Sequence, residues 1–69
     1  MAFLSKRRLP LLNTVMRIGR ITNERASQVS GISVRTISEA RRKDGKPIRS
    51  DFAGHIEQAI YKIVKGATS

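Results

Sequence analysis

No cysteine occurs among the 69 residues of the chain, and in a chain this short that absence narrows the possible folds more than any residue that is present. A domain of about 60 residues buries only about 60% of the surface its unfolded form exposes, so domains of this size often rely on disulfides or on zinc held by thiolates. Both routes are closed. Stability has to come from packed apolar side chains, and these are mostly Ile, Leu and Val in periodic clusters, unlike the sparse apolar content of a disordered basic tail. Length and patterning together predict one small domain with no room for a deep catalytic cleft.

Lysine and arginine number 14 against 5 acidic residues, a formal charge of +9. That balance favours polyanions as partners: duplex DNA, structured RNA or an anionic lipid surface. Aromatic residues are limited to Phe3, Phe52 and Tyr61, too few for the stacking platforms on which single strands are read. No run approaches the roughly 20 apolar residues of a membrane span, and no membrane partner is expected. Near the start, Lys6, Arg7 and Arg8 precede apolar residues between Leu9 and Val15, but Pro10, Asn13 and Thr14 interrupt them and Arg17 closes the run without a small-residue cleavage pattern. It reads as a basic arm (1–8) leading into a helix, rather than as a secretory signal or an acid-poor transit peptide.

Four helices are predicted, at 10–19, 22–30, 33–43 and 50–65, giving an all-α, compact four-helix domain over 9–66 and a frayed tail at 67–69. Pro10 suits a first helical turn, and Leu11, Val15 and Ile18 follow at i, i+4 and i+7, with Leu12 and Met16 beside them, as one apolar face, with Gly19 as the stop. Thr22 or Asn23 can cap the second helix, which places Ala26 and Val29 inward and ends at Gly31. Ser33 caps the third, with Ile37 and Ala40 toward the core. In the last helix Phe52, Ile56, Ala59, Ile60 and Ile63 keep the strongest periodic spacing in the chain, with Ser50 as its cap and Gly66 as its end. Gly54 is anomalous there: either the helix begins later or a neighbouring backbone approaches closely. Residues 43–49 read as a loop, since the flanks of Asp44-Gly45 lack the alternation of a hairpin.

Residues Ala26 to Ala40 read A-S-Q-V-S-G-I-S-V-R-T-I-S-E-A. A small residue faces the second helix, Gly31 supplies the positive φ of a tight turn, and Ile32 and Ile37 lock the two helices: the pattern of a helix-turn-helix. From Ser27 to Ser38 the chain resembles the DNA-binding headpiece of the lactose-repressor family, and Gly45, Ile48, Ile56 and Ala59-Ile60 look like that family's loop and third helix. It is also similar in architecture to small phage or plasmid repressors of the Cro type. It differs from the headpiece pattern in carrying a helix ahead of the motif and in a one-position shift of the capping serine near residue 50. The resemblance implies that Val34, Arg35 and Glu39 read bases, and that Ser33, Thr36 and Ser38 contact phosphates.

The position of Arg35 on its helix singles it out on physical grounds as well. A recognition helix enters the major groove by its N-terminal half, where an arginine can hold guanine O6 and N7 together. Glu39 either accepts from cytosine N4 or holds Arg35 or Lys43 in an i, i+4 pair. Arg41, Arg42, Lys43, Lys46 and Arg49 follow at the place where the chain should skirt the DNA backbone. Lys6, Arg7 and Arg8 remain either an arm reaching into a minor groove or an unstructured basic start. His55 has no second histidine or cysteine with which to hold a metal, and no nucleophile, base and orienting group occur together, so neither catalysis nor a cofactor is expected.

The expectation is a sequence-specific duplex-DNA-binding protein, a small transcriptional repressor of phage, plasmid or bacterial type, in the cytoplasm on the nucleoid, with no small-molecule effector. Tyr61 and Val64, with Phe3, Leu4 and Leu9, exceed what the core obviously needs. One module also covers only about 600–1,000 Å² on DNA, and both considerations point to a homodimer. Two alternatives stay open on nucleic acid: an excisionase-like or accessory architectural factor, and a basic structural RNA-binding protein. A membrane-active amphipathic peptide is the third.

Overall fold

The structure, a computed structural model, describes residues 5–68. In chain order it contains β1 (Lys6–Arg7), α1 (Leu12–Ile18), α2 (Asn23–Ser30), α3 (Val34–Ala40), β2 (Ile48–Arg49) and α4 (Ser50–Thr68). The four helices lie where the periodicity placed them, but the protein is mostly helical rather than all-α. The two short strands pair antiparallel, with Lys6 opposite Arg49 and Arg7 opposite Ile48. One further bond, from the Ser50 N–H to the Ser5 carbonyl at 2.9 Å, extends the ladder. Two-residue strands made of Lys, Arg and one Ile carry no alternation to betray them. The expected arm over 1–8 is therefore, in its described part, a docked strand. Phe3 and Leu4 lie outside the described residues, as does Ser69.

Met16 of α1, Ile37 of α3 and Ile56 of α4 are the largest fully buried side chains, and they form the centre of a core that Leu9, Leu12, Ile21, Ala26, Ile32, Ala40, Ile48, Ala53 and Ile60 complete; Leu9, expected to be surplus to the core, is part of it. Phe52 and Ile63 pack on its edge. No polar or charged residue is buried among the described residues, so the core holds by apolar burial alone. α4 packs chiefly against α2, and its stripe Ile56, Ala59 and Ile60 is buried as the spacing requires.

α1 departs from expectation. It starts at Leu12 rather than at Pro10, and the face it buries is Leu12 and Met16. Leu11, Val15 and Ile18 point outward, Leu11 at 70% and Ile18 at 79% exposure. The helix ends in a Schellman arrangement, with the Ile21 N–H donating to the Met16 carbonyl at 2.8 Å and the Arg20 N–H to the Arg17 carbonyl at 3.2 Å. The residue in the left-handed region is Arg20, with φ 55°, while the expected stop, Gly19, keeps helical angles.

Two further boundaries differ. α3 ends at Ala40, so residues 41–43 belong to a turn instead of the helix. α4 continues past Gly66 to Thr68. Gly54 lies inside α4, and no atom of a neighbouring segment comes within 4 Å of where its Cβ would be, so neither expected explanation holds.

Candidate nucleic-acid interface

α2 and α3 are joined by a turn over residues 31–33, and each side of it is built as the residue types demand. Gly31 closes α2 with φ 75°, a left-handed conformation that an L side chain rarely adopts, and its N–H reaches the Ser27 carbonyl at 2.8 Å. Ser30 Oγ donates to the Ala26 carbonyl at 2.6 Å and accepts from the Ile32 N–H at 3.1 Å, tying the turn to the helix behind it. Ser33 then caps α3: its Oγ accepts from the Thr36 N–H at 3.3 Å and lies 2.9 Å from the Thr36 hydroxyl. At the other end, Thr22 caps α2 by accepting from the Arg25 N–H at 3.1 Å. Ile32 and Ile37 are buried, so the two helices are fixed against the core and the opposite face of α3 is left to solvent.

That outer face carries Val34, Arg35 and Ser38, all exposed. Among the described residues, Arg35 makes no ion pair or hydrogen bond through its side chain. Glu39 is half-buried and meets Lys46 Nζ at 3.6 Å, not Arg35 or Lys43 one turn away. The pair ties α3 to the following loop, across 48% and 32% exposed side chains, a setting in which an ion pair contributes little to stability.

The basic run divides into two sets. Arg41 faces inward from the C-cap of α3: Nε donates to Asn13 Oδ1 of α1 at 2.9 Å and one terminal nitrogen to Asn23 Oδ1 of α2 at 2.6 Å. It is a structural tie between three helices. Arg49 is also engaged, with two bonds to Asp51 at 3.2 and 2.9 Å and its guanidinium 4.6 Å above the Phe52 ring. Arg7 pairs with Glu57 of α4. The exposed Arg8, Arg42 and Lys43, by contrast, have no carboxylate partner among the described residues, and Lys6 projects from β1 in the same condition.

Folding of the arm adds something that sequence reasoning missed. Arg8 lines one shallow pocket together with Arg42, Asp44, Lys46 and Pro47. Nothing in the sequence spacing marks this grouping, because it depends on strand pairing across most of the chain.

Elsewhere, His55 Nδ1 donates to the Asp51 carbonyl at 2.6 Å within α4. Among the described residues no group of three His, Asp or Glu could hold a metal ion, and no helix is long and apolar enough to cross a membrane. No family model, curated protein or solved structure matches this chain.

Proposed function

We propose that the protein binds duplex DNA with sequence preference, laying α3 in the major groove, and acts as a small repressor in the form of a homodimer. The observation that carries this reading is the outer face of α3. Val34, Arg35 and Ser38 are presented on the exposed first two turns of a helix whose other side is locked by Ile37 and whose entry is set by Gly31 and Ser33. An unpaired guanidinium on a rigid helix keeps its planar fork available for a guanine edge. The exposed cations around it supply the sequence-independent attraction. Six phosphate contacts would imply a loss of about 10³ in affinity between 50 and 200 mM salt.

The homodimer draws support from the outward stripe of α1 and from α4, where Tyr61 is 66% exposed and Val64 is also uncovered. Two copies related by a two-fold axis would read half-sites about one helical turn apart.

Selection of sites from a random duplex pool tests these statements together. The expected outcome is enrichment of a two-fold symmetric sequence with that spacing. A pool that stays random, or duplex RNA competing as well as DNA at equal salt, would overturn the reading. On the selected site, Arg35→Ala relaxes preference at one base pair by about 1–3 kcal/mol. Unchanged discrimination between selected and scrambled sites would show that α3 does not read bases.

A further inference from the structure

Resting on the duplex-binding reading, we propose that Arg8, Arg42 and Lys46 form the seat of a single backbone phosphodiester, built jointly by the N-terminal strand and the loop after α3. All three residues line one shallow pocket, with Asp44 and Pro47 completing it.

Two backbone constraints hold Arg8 there. On one side Arg7 is registered opposite Ile48 in the two-stranded ladder. On the other, the loop lies against the Leu9-Pro10 backbone so tightly that a Cβ on Gly45 would fall 2.8 Å from the Pro10 nitrogen. Gly45 has φ 61°, and its N–H closes a turn on the Arg42 carbonyl at 2.7 Å. Arg8 thus leaves a main chain pinned before and after it, and Arg42 opens the turn that does the pinning.

The chemistry of the lining selects the ligand. Arg7, Arg41 and Arg49 are all committed to side-chain partners within the fold. Arg8 and Arg42 have none among the described residues, and Lys46 shares its charge with Glu39 at 3.6 Å. Two free guanidinium groups with an ammonium beside them match the anionic oxygens of one phosphodiester, with several charge-assisted donors to few acceptors. In the described residues Lys6 and Arg7 are paired to β2 and Arg7 is tied to Glu57, so Arg8 follows directly from a docked strand. Asp44 is the one carboxylate in the lining and opposes the ligand.

The test uses the full chain and the duplex obtained by site selection, carrying a neutral methylphosphonate at one position at a time. One neutralised position is expected to weaken the wild-type protein about tenfold, the size of a lost charge-assisted bond. Arg8→Ala and Arg42→Ala should each be less sensitive than the wild type to neutralisation at that same position, and the double variant least of all. The double variant should lower the slope of log affinity against log salt by about 0.9, the value of one phosphate. Asp44→Asn should tighten binding about threefold by removing a like charge from the phosphate. The seat is overturned if the two arginine variants lose sensitivity at different phosphates, if Arg8→Ala leaves every position unchanged, or if it alters an A·T preference instead. Failure of the wild type to bind duplex at all overturns the functional reading itself, so the two failures are distinct.

Discussion

Helices α1 and α4 both carry apolar residues at i, i+4 and i+7, yet α4 buries that stripe while α1 turns Leu11, Val15 and Ile18 to solvent. The difference lies in how many stripes each helix offers. α4 has one broad apolar face backed by charged and polar residues, so only one orientation removes it from water. α1 has two, since Leu12 and Met16 sit one position on from Leu11 and Val15. Periodicity locates candidate faces, and the choice between them falls to the surroundings. Here Asn13, on the flank of the inner face, must reach Arg41, and Ile21 must fold back beneath Met16 to close the helix end.

The largest effect expected from testing this contrast is in the core. Met16→Ala and Ile56→Ala should each cost about 2–5 kcal/mol in urea unfolding, while Leu11→Ala should stay within about 0.5 kcal/mol for the monomer. A Leu11→Ala penalty equal to that of Met16→Ala would show that the two faces of α1 have been exchanged.

Next in size is the polar tie that orients α1. Arg41→Ala leaves the part-buried amide oxygens of Asn13 and Asn23 without their donor, at a cost of about 1–3 kcal/mol. A residue that served only to contact phosphate would leave the melting temperature unchanged, which makes thermal unfolding without DNA the deciding measurement.

The smallest changes sharpen the comparison at single backbone positions. Arg20, left-handed at the end of α1, and Gly54, unobstructed inside α4, each hold the residue type less suited to the local backbone. Arg20→Gly and Gly54→Ala should each raise stability by about 0.5–1 kcal/mol, read as a shift in denaturation midpoint.

What was legible from residue types alone follows the same logic. Gly31 and Ser33 specify the turn between α2 and α3 because each answers a local demand, a positive φ and a capping oxygen, that few residues can meet. The α4 stripe was legible because its periodicity has no competitor. The pairing of β1 with β2 was not, since charged two-residue strands have no pattern of their own and are held by what lies on either side. Among the candidate site residues, the exposed position of Arg35 follows from the spacing of Ile32, Ile37 and Ala40. The division of the basic run into Arg41 and Arg49, engaged within the fold, and Arg42 and Lys43, which have no side-chain partner among the described residues, does not. Arginines adjacent in sequence look alike until the partners, Asn13 and Asn23 for one and Asp51 for the other, are brought together by the fold.

The ladder between β1 and β2 joins the earliest described residues to the start of the last helix, with Ser5 and Ser50 bonded across 45 positions. Closing so wide a loop is slow compared with forming α2, its turn and α3, whose contacts are close neighbours along the chain. During synthesis the α2–α3 pair can therefore assemble on an emerging polypeptide while the leading strand still waits for its mate. The two halves of the fold thus differ in the length of chain each must close: a few residues for the turn at Gly31, most of the polypeptide for the ladder.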